Sequence, residues 1–354
     1  MPKINARKIC LIRTSALGDT VHALALVNGL RKGYPDAQLT WVLQNLPYDM
    51  VKHQKNIDRF ITFDRNAGLK SWFNLFGQLR KESFDLTIVP QVSAKASLLT
   101  LFVRSKNKLG FDFNRSREGH WLVTNRRIPA GPARHVQDLY FEFLDYLEIE
   151  NFPKEWNFTF TSQEREWQRA FFEGFKRPAI GFVIASSSPD KDWAIENYAK
   201  AADYVDGELN MQPLLIGGPS GLEKDRAEAI GRLCRNKPAL ALEKPIRNTL
   251  LQIDGCRMIV SPDTGPLHMA VALNVPTVGL YGFTDPRRCG PYGKYHDLLI
   301  DRYHDPGEEN TPITRITRPG RMARITPEAV IEKIEQGLKT YPAKPAPTPW
   351  TIDR

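Results

Sequence analysis

Ser261-Pro-Asp-Thr-Gly-Pro-Leu-His-Met-Ala-Val-Ala-Leu-Asn274 follows an apolar, strand-like run, Cys256-Arg-Met-Ile-Val260. The chain turns through Pro262, Asp263, Thr264 and Gly265 into a helical pattern. Asp263 or Thr264 can cap that helix, and Pro266 suits its first turn. A strand that breaks into a helix start leaves backbone N–H groups pointing outward with partial positive charge, which is a place to hold phosphate. His268 lies one turn further along and can add a donor. A strand–turn–helix is also ordinary α/β architecture, so a phosphate grip and a purely structural turn both stand at this point.

The same alternation extends in both directions. Strand-like runs at 8–13, 38–43, 59–63, 84–90 and 108–111 alternate with helical patterns at 19–32, 69–81 and 94–103. Val136, Leu139, Tyr140, Phe143 and Leu147 recur at helical spacing and close the first half. The second half repeats the logic, with strands at 179–185, 212–216, 239–242, 257–261, 277–281 and 298–300. Its helices fall at 194–206, 222–234, 247–254, 267–273 and 326–339. The pattern predicts an α/β protein of two similar domains, 1–165 and 175–340, each with a parallel sheet covered on both faces. A hinge is expected within 149–178, and a proline-rich, extended tail over 341–354. Ligands of such sheets bind beyond the carboxyl ends of the strands, so two domains facing each other predict a site in the cleft.

Composition narrows the class. The chain has 354 residues and 42% hydrophobic content, and no apolar run long enough to span a bilayer. Met1-Pro-Lys-Ile-Asn-Ala-Arg-Lys8 has neither an apolar signal region nor a small-residue cleavage site, so a cytoplasmic protein is expected. Four scattered cysteines (Cys10, Cys234, Cys256 and Cys289) form no CxxC pair and fit free thiols. The net charge of +9 is uneven: residues 1–140 hold 22 Lys and Arg against 10 Asp and Glu, and the remainder is slightly acidic. A basic half implies an anionic partner: nucleic acid, an acidic membrane surface or an anionic substrate.

Two further loops carry candidate chemistry. Arg13-Thr-Ser-Ala-Leu-Gly-Asp-Thr20 follows the first strand and opens the first long helix. Gly18 permits close approach of a ligand. Asp19 reads either as a helix cap or as a carboxylate able to take a proton from a substrate hydroxyl. His22, one turn later, can share that face. Ser186, Ser187 and Lys191 follow the first strand of the second domain, where hydroxyls and an ammonium can meet phosphate oxygens. Asp190-Lys191-Asp192 is formally a DxD metal motif, but it precedes a helix start and is better read as capping; no metal is expected. Ile216-Gly-Gly-Pro-Ser-Gly221 lacks the dinucleotide-binding spacing. The basic, aromatic stretch 104–127 suits either nucleic acid or the phosphates and carboxylates of a lipid acceptor. Leu69, Trp72, Phe73, Phe76 and Leu79 read as a core-facing helix stripe.

Three segments together carry a family resemblance: Lys8-Ile-Cys-Leu-Ile-Arg-Thr-Ser-Ala-Leu-Gly-Asp-Thr-Val-His-Ala-Leu24, Ser186-Ser-Ser-Pro-Asp-Lys-Asp-Trp193, and Ser261 to His268 continuing to Gly279-Leu-Tyr-Gly-Phe-Thr-Asp-Pro286. In these the chain resembles glycosyltransferase family 9, the bacterial lipopolysaccharide heptosyltransferases. It is most similar to the group that adds the first heptose to the Kdo of lipid A. The resemblance implies a GT-B fold: two Rossmann-like domains with parallel sheets facing across a cleft. It implies that the C-terminal domain binds ADP-heptose and the N-terminal domain the acceptor, in an inverting transfer that needs no metal or cofactor. Asp19 matches the family's catalytic carboxylate. Ser186, Ser187 and Lys191 match diphosphate contacts, with serines where many members have threonines. Asp263, Thr264, Gly265 and His268 match the donor loop, and Glu223 an acidic residue at the nucleoside. Ser15, Gly18, His22, Arg115 and Arg117 are the acceptor candidates. The implied partners are ADP-heptose, Kdo-lipid A and the anionic inner leaflet, with the protein a monomer on the cytoplasmic face and not a nucleic-acid binder. A related transferase using another nucleotide sugar or acceptor, such as a later core heptose or a protein, is the competing enzyme reading. A basic nucleic-acid-binding protein is the competing reading outside enzymes.

Overall fold

Alternating apolar strands and amphipathic helices assemble into two units: residues 1–132 with 136–159, and residues 133–135 with 160–354. The computed structural model describes residues 4–64, 66–242, 245–308 and 310–343. The Leu69 side chain, and the proline-rich tail from 344 onward, lie outside the described residues.

Unit 1 runs β1 (Lys8–Ile12), α1 (Leu17–Gly33), β2 (Gln38–Gln44), α2 (Asn45–Val51), β3 (Arg59–Phe63), α3 (Gly68–Lys81), β4 (Ser83–Ile88), α4 (Ala94–Phe102), β5 (Arg104–Gly110), α5 (His120–Val123), β6 (Arg126–Arg127) and α6 (Val136–Tyr146). Its strands pair in parallel in the order β3-β2-β1-β4-β5-β6. Unit 2 runs α7 (Ser162–Glu173), β7 (Ala179–Val183), α8 (Ile195–Gly207), β8 (Gln212–Ile216), α9 (Gly221–Leu233), β9 (Ala239–Ala241), α10 (Ile246–Gly255), β10 (Met258–Pro262), α11 (Gly265–Ala272), β11 (Thr277–Tyr281), α12 (Pro286–Cys289), β12 (Ile300–Asp301) and α13 (Pro327–Thr340). Its order, β12-β11-β10-β7-β8-β9, is the same doubly wound arrangement counted from its own first strand. β7, β10 and β11 are buried at every position, which is why they read as unbroken apolar runs rather than alternating ones.

Three local outcomes differ from the sequence expectation. The stretch expected as hinge contains α7. Thr161 caps it, accepting the Glu164 N–H at 3.2 Å, while the Glu164 carboxylate accepts the Thr161 N–H at 2.9 Å. Glu164 also pairs with buried Arg247 at 2.6 Å, which holds α7 on α10 within unit 2. The stripe on α3 is only partly core. Leu79 is buried and Trp72 and Phe76 pack against the core, but Phe73 is 69% exposed. Its neighbour Leu75 takes the inward position instead. Neither acidic residue of the DxD caps α8, whose cap is Ala194 with no side-chain bond.

α5 is short and is held by one imidazole. His120 is fully buried, and its Nε2 accepts the Phe111 N–H at 3.2 Å. Gly110 makes room for it: a Cβ there would stand 2.3 Å from Nε2. Burial, reinforced by the Arg127 charge, pushes the imidazole down to about 4 from an ordinary 6.5. The neutral ring is the folded form, so its stabilisation is complete above about pH 6.5 and is lost as the pH falls toward 4. The melting temperature of the wild type is therefore expected to fall more steeply between pH 7 and pH 4.5 than that of His120→Gln, which keeps an acceptor but does not titrate. Parallel pH curves would remove His120 from the acid sensitivity.

Candidate active site

In each unit the strand order reverses at one place, between β1 and β4 in unit 1 and between β7 and β10 in unit 2. Loops leaving the carboxyl ends of two such strands diverge to opposite faces and open a crevice. The candidate loops 13–19, 184–191 and 263–268 all leave strands at these reversals.

In unit 1 the crevice is built around a buried cation. Arg13 is buried and its guanidinium forms an ion pair with Asp19. Its Nη1 reaches the Pro90 carbonyl at 3.5 Å, and the Tyr140 ring lies 5.9 Å from its centre of charge. Burial alone would lower the guanidinium pKa; the Asp19 charge outweighs it, and the net direction is upward. Asp19 is the third residue of α1, not its cap. The cap is Ala16, which has no side-chain acceptor, and Asp19 receives the Ala16 N–H at 3.4 Å. Gln91, beyond β4, accepts from the Thr14 N–H at 2.7 Å and from its hydroxyl at 3.1 Å, locking the loop across the reversal. The result is a one-third exposed carboxylate whose position is set from beneath. Such a group can take a proton from a hydroxyl delivered from solvent.

The remaining unit 1 candidates divide. Ser15 in the same loop and Gly18 in the first turn of α1 are half-buried, and Arg117 is exposed. His22 does not join them: it is buried, with Nδ1 2.8 Å from the Gln137 Oε1 on α6. The reason is that α1 is buried at every position from Thr20 to Leu30, so it has no solvent face to share with Asp19. Arg115 is also withdrawn. Its guanidinium is taken up by Asp112, by Glu142 and by the Pro129 carbonyl, a strut inside unit 1 rather than an acceptor contact.

In unit 2 the crevice is built around a buried anion. Asp263 Oδ2 receives Lys191 Nζ at 2.9 Å, the Thr284 hydroxyl at 2.9 Å and the Cys289 thiol at 3.5 Å; Oδ1 lies 3.6 Å from His268 Nε2. Burial alone would raise the Asp263 pKa. The His268 contact and the Lys191 charge outweigh it and hold the carboxyl well below the usual range. Asp263 is thus not the cap of α11, and a buried carboxylate is no partner for phosphate; it aims Lys191 and His268. Thr264 occupies the cap position, but its hydroxyl bonds Ser261 Oγ at 3.1 Å and no side chain caps α11. Lys191 also donates to the Asp263 carbonyl at 3.2 Å, using two of its three N–H bonds and leaving a third. Ser186 closes its own turn through Ser188, while Ser187 is exposed. Glu223 is engaged locally, accepting from the Gly218 N–H and the Ser220 hydroxyl, each at 2.6 Å, and so holds the glycine turn. Among the described residues no cluster of three or more His, Cys, Asp or Glu side chains is arranged to hold a metal.

The model of glycosyltransferase family 9 (heptosyltransferase) matches residues 72–312. The chain belongs to this family. The matched span contains the whole Lys191–Asp263–His268 cluster, whereas the Asp19 loop precedes it. This family 9 glycosyltransferase is 29% identical over 338 residues to the lipopolysaccharide core heptosyltransferase OpsX of Haemophilus influenzae, covering 93% of this chain and 96% of that protein. Among solved structures, a family 9 glycosyltransferase from Veillonella parvula superposes with a TM-score of 0.82 at 22% identity, covering 94% of this chain and 97% of that one. The Escherichia coli heptosyltransferase WaaC with ADP gives 0.70 at 21%, covering 93% and 99%. The fold of this family 9 enzyme is therefore GT-B.

Several residues of the two sites carry no local sequence signal. Gln91, Cys289 and Tyr140 reach them from distant segments. Arg226 donates to the carbonyls of Ile184 and Trp193 and so ties down the Ser186–Lys191 loop from α9. Arg13 lies in the Asp19 loop itself, and its burial against the Asp19 carboxylate marks it as that group's support. Arg13→Ala is expected to lower turnover about tenfold or more, leaving ADP affinity unchanged, with partial recovery in Arg13→Lys. Unchanged steady-state kinetics in the alanine variant would show that Asp19 needs no such support.

Proposed function

We propose that this chain is an inverting transferase that moves heptose from ADP-heptose to the Kdo of the lipopolysaccharide inner core, carried on lipid A. Asp19, set in place by Arg13, takes the proton of the attacking Kdo hydroxyl. Lys191, the Ser186 and Ser187 hydroxyls and the α11 start at Thr264–Gly265 receive the charge that develops on the departing ADP. His268 faces the same diphosphate. No metal enters the step, because cationic and dipolar groups of the chain occupy that role.

The observation that carries this reading is the pairing of opposite electrostatic designs at the two strand-order reversals. One is a carboxylate held over a buried cation; the other is a cation held over a buried carboxylate. The first suits proton removal and the second anion capture. Relatives named as lipopolysaccharide heptosyltransferases, at 29% and 25% identity over most of the chain, support the substrate class. The excess of Lys and Arg in residues 1–140 suits an acceptor bearing carboxylates and phosphates, on the cytoplasmic face of the inner membrane. The proposal takes the enzyme to be peripheral and monomeric; no helix among the described residues is long and apolar enough to cross a membrane.

Calorimetry with ADP and with a short DNA duplex at physiological salt tests the ligand class. ADP is expected to bind and the duplex not. The reverse result would replace the transferase reading with nucleic-acid binding.

A further inference from the structure

The stretch 94–127 contains eight Lys and Arg and only two acidic residues. Both acids are spent internally, Asp112 on Arg115 and Glu118 on the Ala94 N–H at 2.6 Å. The Glu118 bond ties the loop before α5 to the start of α4. α4 buries Ala96, Ser97, Leu99 and Thr100 and turns Lys95, Leu98 and Leu101 to solvent on the opposite face. Leu101 is 61% exposed and Leu122 on α5 is 68% exposed. Phe113, at 64%, packs its ring 5.5 Å from that of Trp121. Lys106, Arg126 and Arg127 are exposed in the neighbouring strands β5 and β6, and Arg127 donates to the Trp121 carbonyl.

Apolar side chains exposed together on adjacent elements mark an interaction surface. The occupant must match both an aliphatic, aromatic face and a positive border. Nucleic acid would use the charge and the two aromatic rings but has no use for three exposed leucines, since bases stack on planes. A bilayer with anionic headgroups uses all of it: leucines enter the acyl boundary, Trp121 sits at headgroup depth, and the basic residues meet lipid phosphates.

We propose that α4, α5 and the loop between Phe113 and Trp121 form a docking surface for an anionic lipid bilayer, with Leu98, Leu101 and Leu122 as the inserting residues. This deepens the reading that the acceptor is membrane-borne and rests on it.

Co-sedimentation of the full chain with vesicles of phosphatidylcholine, alone or mixed with phosphatidylglycerol, tests it. The wild type is expected to bind mixed vesicles, to ignore neutral ones, and to retain part of its binding in about 0.5 M salt, where the charge contribution is screened. The triple variant Leu98→Ser/Leu101→Ser/Leu122→Ser is expected to lose about tenfold or more, with the residue abolished by salt, while ADP affinity stays at the wild-type level. Wild-type binding by the triple variant, no wild-type binding to mixed vesicles, or a leucine-dependent affinity for duplex DNA would each overturn the proposal. Transfer to acceptor dispersed in detergent micelles separates the two readings. The triple variant should match the wild type there. If neither protein transfers heptose, the functional reading falls while the vesicle result stands.

Discussion

Asp19→Ala is expected to lower turnover by about 10²–10⁴-fold or more and to leave ADP affinity unchanged, because the proposed general-base assistance acts on the acceptor hydroxyl and not on the nucleotide. The variant must be separated from a loss of helix stability. Asp19 lies in the first turn of α1, where a carboxylate contributes about 0.3–1 kcal/mol through the helix dipole. Asp19→Asn makes that separation. It keeps the size and an oxygen for the Ala16 N–H but cannot take a proton. If Asn is as inactive as Ala and melts near the wild type, Asp19 is the base. If turnover in Asn stays near the wild type, Asp19 supports the helix and the mechanism is wrong. The ion pair with Arg13 does not argue against a base: it fixes a partly exposed carboxylate that otherwise has several rotamers, and pre-set geometry is itself a large part of rate enhancement.

Lys191→Ala is expected to act on the opposite half of the proposed reaction. It removes the ammonium expected at the diphosphate, a charge-assisted contact of about 1.5–3 kcal/mol, so ADP affinity is expected to fall about 10- to 100-fold. It also strips the buried Asp263 carboxylate of its nearest cation, leaving Thr284, Cys289 and His268 around it. Part of the loss is therefore the cost of an unbalanced buried charge rather than a missing ligand contact. Lys191→Ala/Asp263→Asn relieves that cost. The double variant should recover stability in thermal melts but not ADP affinity. Recovery of affinity as well would mean that Lys191 serves only Asp263, and an unchanged affinity in the single variant would remove Lys191 from the site.

The architecture was legible because parallel strands buried on both faces announce themselves as apolar runs, and apolar residues recur at helical spacing between them. α7 was hidden for a different reason. Its sequence is polar and aromatic, lies between Pro153 and Pro178, and resembles a linker, although Thr161-Ser-Gln-Glu164 spells out its start. The two crevices were legible as loops, since each breaks from a strand into a helix. What their side chains do was not. Asp263 and Lys191 stand 72 residues apart in sequence and meet only because β7 and β10 are neighbours. His22 was misplaced because spacing alone cannot tell a helix with one wet face from one buried all round. Arg115 was misplaced because a basic stretch does not say which of its cations are already paired. Phe73 shows the same limit from the apolar side: a hydrophobic residue on a helix reads as core until the neighbouring elements fill that position or leave it open.

The account is tested most directly by mass spectrometry of a Kdo-terminated lipid A acceptor after incubation with the full chain, ADP-heptose and a metal chelator, beside parallel reactions with other nucleotide sugars. The predicted result is a gain of one heptosyl unit with ADP-heptose alone, matched by an equal release of ADP and undiminished by the chelator. No mass gain, or a gain only from another nucleotide sugar or only on an acceptor already carrying heptose, would contradict it.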